Sequence, residues 1–346
     1  MAALTRAGTD ITSPTTLPRF SVVVPTRGRD ELLAPLLTAF AAQSFPRERW
    51  EWIIAFDGAA PSESIAARLA AAGAIVVISP QRSGPGAARN LGAAHASGTI
   101  IAFTEDDCLP APDWLAAAAA RLDRDRAIDV LEGATLLPDG RPARRRDGEK
   151  PTWLPTNLFV RRALFERVGG YCERYFDARA GIYFREDSDF GFTLLEAGAR
   201  VAHEPASRVT HPFEHRGWLD PVRWARRYEM DPLLASRHPR AFRDEIEVLR
   251  WGPFRIRRPF VRACAGYMMA LLAAGAAAAI GEPGVASWFV AVAALLTLLL
   301  WAKWRFDPRK FPAVLVVPPI LLFSLARGRA RVYETPAPPA PSSPAL

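Results

Sequence analysis

Residues 100–115 read IIAFTEDDCLPAPDWL, a short apolar run broken by three consecutive acids, Glu105-Asp106-Asp107. The apolar part has the length and composition of a strand covered on both faces. Neighbouring carboxylates repel one another, so three of them at a strand's carboxyl end are costly without a cation. Carboxylate oxygens suit Mg2+ or Mn2+, ions that commonly take phosphate oxygens from a substrate as well. A triplet standing alone is most often a solvated acidic turn, and its place at the end of a fourth buried strand favours the metal.

Towards the N-terminus, Phe20–Val24, Glu51–Phe56 and Ile75–Ser79 read as strands, and Thr99–Phe103 is the fourth. Between them, Glu31–Ala42, Ser62–Ala72 and Pro85–Ala96 read as helices. This alternation implies an α/β fold with a mostly parallel sheet flanked by helices, whose ligands lie beyond the carboxyl ends of the strands. The first strand runs into Pro25-Thr26-Arg27-Gly28-Arg29, and the second ends at Asp57, an acceptor suited to a base or ribose. The turn at Ser83-Gly84-Pro85-Gly86 opens a helix carrying Arg89, an arrangement that suits a diphosphate but lacks the third glycine of a dinucleotide fingerprint. Glu186-Asp187-Ser188-Asp189 begins a later helix, where acids either answer the macrodipole or carry chemistry.

The 346 residues are half hydrophobic, enough for a substantial core, which excludes wholesale disorder. Three scattered cysteines exclude a disulfide scaffold, and no Cys/His spacing suggests structural zinc. The net charge of +8 lies entirely in residues 251–346, with eleven Lys/Arg against three acids. A nucleic-acid binder would carry that excess on its folded domain, so no nucleic acid is expected as a partner. Here the basic residues flank two apolar runs, 263–281 and 285–301, joined by Glu282-Pro283-Gly284. Each is close to the roughly 20 residues that span a bilayer. With Arg255–Arg262 and Lys303–Lys310 held inside, the protein is expected in the inner membrane as a multi-pass chain, its α/β domain facing the cytoplasm. A third run, 311–326, contains Pro318-Pro319 and reads as a re-entrant segment or a third span. Residues 216–262 interleave Trp218, Trp224 and Tyr228 with arginines, as an interfacial helical linker against membrane lipids would. Residues 1–18 and 335–346 are expected to be disordered, and 138–151 to form a loop with a basic run at Arg144–Arg146.

The ordered series SVVVPTRGR (21–29), IIAFDG (53–58), GPGAARNLGAAHASG (84–98), the acidic stretch at 100–115, PTNLFVRRALFERVGGY (155–171) and REDSDFGFTLLEAGARV (185–201) resembles a family 2 glycosyltransferase with the GT-A fold. The resemblance covers about residues 20–212 and implies a GT-A glycosyltransferase domain at 19–215. It implies metal-dependent, inverting transfer from a nucleotide-diphospho-sugar to a hydroxyl of a lipid-linked or cell-envelope glycan. By that resemblance Pro25, Thr26, Arg29 and Asp57 line the nucleotide pocket, Arg89 lies near the nucleotide, and Asp106 meets the ribose or sugar. Asp107 binds metal, with Glu105 standing where the family usually has an aspartate, and His211 falls where some members supply a metal-binding histidine. Asp187 is the implied general base, with Glu186 and Asn157 on the acceptor side. The alternative is a catalytically inactive membrane scaffold or partner subunit with the same fold.

Overall fold

The computed structural model describes residues 19–143, 150–213, 217–251 and 253–334; the expectations for 1–18, 335–346 and Arg144–Arg146 lie outside them. The chain begins as β1 (Phe20–Thr26), α1 (Asp30–Ala41), β2 (Trp50–Asp57), α2 (Glu63–Ala71), β3 (Ile75–Ser79), α3 (Pro85–Ala93) and β4 (Ile100–Phe103). It continues through β5 (Leu109–Pro110), α4 (Trp114–Arg124), β6 (Val130–Leu136), β7 (Leu158–Arg161), α5 (Arg162–Val168), β8 (Phe176–Asp177), β9 (Ile182–Tyr183), α6 (Glu186–Glu196) and β10 (Val201–Thr210).

β1 is buried along its whole length because layers cover both faces of the sheet. Successive side chains of a strand point to opposite faces. Accordingly, Val22 and Val24 pack with Leu33, Leu36 and Phe40 of α1 and Trp114 of α4. Val23 packs on the other side with Ala88 and Ala93 of α3, Phe165 of α5 and Phe190 of α6.

The main sheet has the order β3-β2-β1-β4-β7-β6-β10-β5. Strands β3, β2, β1 and β4 are parallel. β7 is inserted antiparallel between β4 and β6, and β10 is parallel to β6. Two reversals across β7 cancel, so β4, β6 and β10 run the same way. The residues after β4 and after β10 therefore emerge at one edge of the sheet.

Behind this domain come α7 (Asp220–Arg227), α8 (Asp231–Arg237), α9 (Pro239–Glu245), the hairpin of β11 (Val248–Trp251) and β12 (Phe254–Arg257), and three long helices, α10 (Pro259–Ala279), α11 (Pro283–Ala302) and α12 (Phe311–Glu334). All three are long and apolar enough to cross a membrane. α10 and α11 pack on each other and leave Met269, Leu272, Trp288, Leu295 and Leu299 exposed. α12 runs unbroken through Pro318-Pro319, although each proline forfeits a helical hydrogen bond. It reaches from α7 to the α/β domain: Lys310 Nζ, just before it, is 3.4 Å from Asp220 Oδ2 of α7, and Arg331 Nη2 near its end is 2.7 Å from Asp177 Oδ2 of β8. Between α11 and α12, Arg305 and Phe306 both adopt left-handed backbone, φ 54° and 57°.

Candidate active site

The carboxyl ends of β1, β2 and β4 open into a cleft of about 880 Å3, closed on its other sides by the start of α6, the segment after β10, and residues 154–156. Pro25, Thr26, Arg29, Asp57, Arg89, Glu105, Asp106, Asp107, Glu186, Asp187 and His211 all line it. Residues that are far apart in sequence meet there because parallel strands present their loops on one side.

Two buried aspartates organise the wall formed by β1, β2 and α3. Asp57 Oδ1 accepts the Ser83 N–H at 2.6 Å and Oδ2 accepts the Gly84 N–H at 3.0 Å. The carboxylate thereby holds the turn that starts α3. Gly84 sits at φ 92°, and a Cβ there would come within 2.5 Å of the Phe176 ring, so neither the conformation nor the space admits a side chain. Asp106 Oδ2 accepts from the Thr26 hydroxyl at 2.6 Å and from Arg29 Nε at 3.2 Å, while Oδ1 pairs with Arg29 Nη2. Burial raises the Asp106 pKa, against the opposing hydrogen bonds from Arg29 and Thr26. Both aspartates are thus ties between loops.

The second group of acids surrounds Arg89, which is 1% exposed. Its Nη2 donates to Glu105 Oε1 at 2.8 Å, and its Nη1 is 3.7 Å from Asp187 Oδ1. Its guanidinium lies over the Tyr171 ring, 5.3 Å from the centroid. One buried cation therefore joins the loop after β4 to the first turn of α6. Burial raises the pKa of Glu105 and of Glu186, in each case against the pull of Arg89. α6 begins at Arg185, whose φ of 76° turns the chain sharply and whose Nε is fixed at 2.7 Å to buried Asp231 Oδ1. Two residues further, Asp187 faces the cleft with about a third of its side chain exposed.

Glu105, Asp107, Cys108 and His211 have potential ligand atoms within 4.8 Å of one another. His211 Nε2 is 3.9 Å from both Glu105 Oε2 and Asp107 Oδ1. Its Nδ1 is 2.8 Å from the Pro212 carbonyl, and a proton donated there leaves the Nε2 lone pair turned towards the two carboxylates. Two carboxylates and an imidazole fit a hard divalent cation such as Mn2+ or Mg2+. Burial pushes the Cys108 thiol far up, and its soft sulfur suits such a cation less well than the carboxylate oxygens do.

Asn157 differs from its expected place. It is 1% exposed and away from the cleft wall. Its Oδ1 accepts from Trp114 Nε1 at 2.8 Å, and its Nδ2 donates to the carbonyls of Ala134 and Ser207. The preceding Pro155 and Thr156 reach the cleft instead, since the 3-10 turn at 155–157 rotates successive side chains away from each other. Arg161 and Arg162 bond to the carbonyls of Ile128 and Gly98, also outside the cleft. The sequence reading did not assign Cys108, Tyr183, Arg227 or Arg305 to this site; the latter three line the cleft from elements that only the fold brings near.

A family profile described as "Glycosyl transferase family 2" matches residues 21–176. Glycosyltransferase AglE of Haloferax volcanii is 26% identical over 208 residues, covering 55% of this chain and 68% of that protein. N-acetylglucosaminyl-diphospho-decaprenol L-rhamnosyltransferase of Mycobacterium tuberculosis is 34% identical over 115 residues, 32% of this chain and 34% of its own length. Among solved structures, mannosyltransferase PcManGT from Pyrobaculum calidifontis, in complex with GDP-Man and Mn2+, aligns with a TM-score of 0.53 at 19% identity, over 93% of this chain and 90% of that one. The segment that gathers these strand-end acids in one cleft of a GT-A-type sheet, residues 21–176, is thus a glycosyltransferase family 2 domain within this chain.

Proposed function

We propose that this protein is a metal-dependent, inverting glycosyltransferase of the cytoplasmic membrane, moving a sugar from a nucleotide-diphospho-sugar to a hydroxyl of a lipid-linked or envelope glycan. The observation that carries the reading is the Arg89 bridge, which joins a carboxylate of the acidic loop to Asp187 within one cleft. Glu105, Asp107 and His211 would hold Mn2+ or Mg2+, which when bound offsets the charge growing on a departing diphosphate. Thr26, Arg29 and Asp57 shape the nucleotide side, and Arg89 keeps the acidic loop and α6 in register. Asp187 accepts the proton of the acceptor hydroxyl as its oxygen bonds to the anomeric carbon and the carbon–diphosphate bond breaks. A single in-line displacement of this kind inverts the anomeric centre.

Support for the donor comes from PcManGT, which was solved with GDP-Man and Mn2+. Support for a lipid-borne acceptor comes from the mycobacterial relative, an N-acetylglucosaminyl-diphospho-decaprenol rhamnosyltransferase by name, and from the apolar α10–α11 hairpin. In this reading that hairpin crosses the bilayer with its basic flanks inside. α12 lies as an interfacial brace, because its polar contacts tie it to α7 at one end and to the α/β domain at the other.

A panel of nucleotide-sugars, scored by thermal stabilisation of the detergent-purified protein with and without Mn2+, tests the donor half. At least one donor should raise Tm only with metal. Failure of every donor to shift Tm would favour the inactive scaffold.

A further inference from the structure

Two arginines without a role in the reaction above enter the cleft from outside the main sheet and its flanking helices, Arg227 and Arg305. Arg227 is the last residue of α7, with its guanidinium 5.9 Å from the centre of the Tyr183 ring. Arg305 follows the end of α11 and enters the cleft from the left-handed turn. Among the described residues neither makes an ion pair with a carboxylate within 4.0 Å. Most other cleft arginines are engaged: Arg29 with Asp106, Arg89 with Glu105 and Asp187, Arg141 with Asp139, and Arg82 over the ring of Phe176. Arg27 is the remaining one, beside Thr26 on the nucleotide side.

Both unused charges come from elements fixed to the apolar helices. α7 stacks Trp224 edge-on against Phe260 of α10 and against Trp304, next to Arg305. The last turns of α11 expose Leu295, Leu298 and Leu299, and the rim adds Phe213 and Phe306, each 51% exposed. Positive charge therefore begins where exposed apolar surface ends, and it begins inside the cleft that contains Asp187. Arginine is well suited to phosphate, through paired charge-assisted hydrogen bonds. Non-glycine residues held at positive φ cost free energy and concentrate at functional positions.

We propose that Arg227 and Arg305 bind the phosphate of a lipid phosphate or diphosphate acceptor, whose hydrocarbon chain lies along α11 while its sugar hydroxyl reaches Asp187. The inference rests on the transferase reading and specifies the acceptor class. Donor diphosphate is the other source of the same chemistry, and the two are separable.

The test uses the full-length protein in detergent, with farnesyl diphosphate as probe and inorganic pyrophosphate and farnesol as comparisons. Wild type should bind farnesyl diphosphate more tightly than either comparison. Arg305→Gln and Arg227→Gln should each weaken that binding about tenfold or more, while Arg305→Lys retains part of it. Binding of UDP and GDP with Mn2+ should be unchanged in the same variants, which also reports that they fold. Equal loss of nucleotide and farnesyl diphosphate binding would assign the pair to the donor and overturn the proposal. Unaltered farnesyl diphosphate binding in the double variant, or none in a wild type that binds nucleotide, would overturn it as well. A wild type that binds no nucleotide would instead count against the transferase reading itself.

Discussion

The cleft contains two kinds of carboxylate. Asp57 and Asp106 spend both oxygens on bonds to their own protein, to Ser83 and Gly84 in one case and to Thr26 and Arg29 in the other. Glu105 and Asp187 share the buried Arg89, and Glu105 and Asp107 each lie 3.9 Å from His211 Nε2. The first kind builds the walls; in the proposed reading the second meets cation, donor and acceptor. Position next to a strand end does not distinguish them, because Asp106 and Asp107 are adjacent in sequence and fall on opposite sides of the division.

That division predicts a hierarchy of effects. Asp187→Asn should cost the most activity, about 10²- to 10⁴-fold in kcat, with nucleotide affinity retained by calorimetry. A variant with ordinary turnover would remove Asp187 from the chemistry. Asp107→Asn, or chelation of wild type, should lower transfer by about a thousandfold, equivalent to several kcal/mol of transition-state stabilisation. Melting of metal-free Asp107→Asn should match wild type, since Asp107 holds no wall. Asp57→Asn should behave in the opposite sense. With one of two N–H acceptors removed, it should lose about 1–3 kcal/mol of stability in chemical denaturation, and nucleotide binding should weaken as the Gly84 turn loosens. Unchanged stability would erase the contrast.

The smallest effect lies behind α6. His238 is buried, which by itself favours the neutral ring, but hydrogen bonds to Asp189 and Glu196 outweigh burial and raise its pKa above 6.5. A raised folded pKa contributes stability that is complete below the unfolded value of about 6.5 and is lost as pH rises through the folded value. The melting temperature should therefore fall slightly with rising pH above neutrality. His238→Gln should flatten that slope, and an unchanged slope would assign the dependence elsewhere.

Much of the front of the sheet is legible in the sequence because each enclosed strand is a short apolar run stopped by Pro25, Asp57 or the acidic triplet. The reversal at β7 is not legible. Leu158–Arg161 looks the same whichever way it runs, and its direction is set by the long connection before it. Within the site, His211 is recognisable from its neighbours in Val209-Thr210-His211-Pro212, and β10 carries it to Glu105 and Asp107. The role of Arg89 is spatial, since its partners lie 16 and 98 positions further along the chain. Asn157 misleads for a physical reason: a polar side chain beside a cleft segment is as valuable for satisfying the Trp114 indole and two buried carbonyls as for meeting a ligand.

α12 bears on how the protein can be handled at the bench. Arg327 and Arg331 are the counter-charges of Asp177 and Glu229, both nearly inaccessible to water, and Phe176 beside Asp177 abuts the Gly84 turn. Trimming the gene to a water-soluble fragment that stops before Pro259 would remove α12 along with the hairpin, strand two enclosed anions and strip the apolar cover from Ala225 and Tyr228. A shortened enzyme should instead excise the α10–α11 hairpin and rejoin the ends, keeping the final helix as part of the donor-binding body.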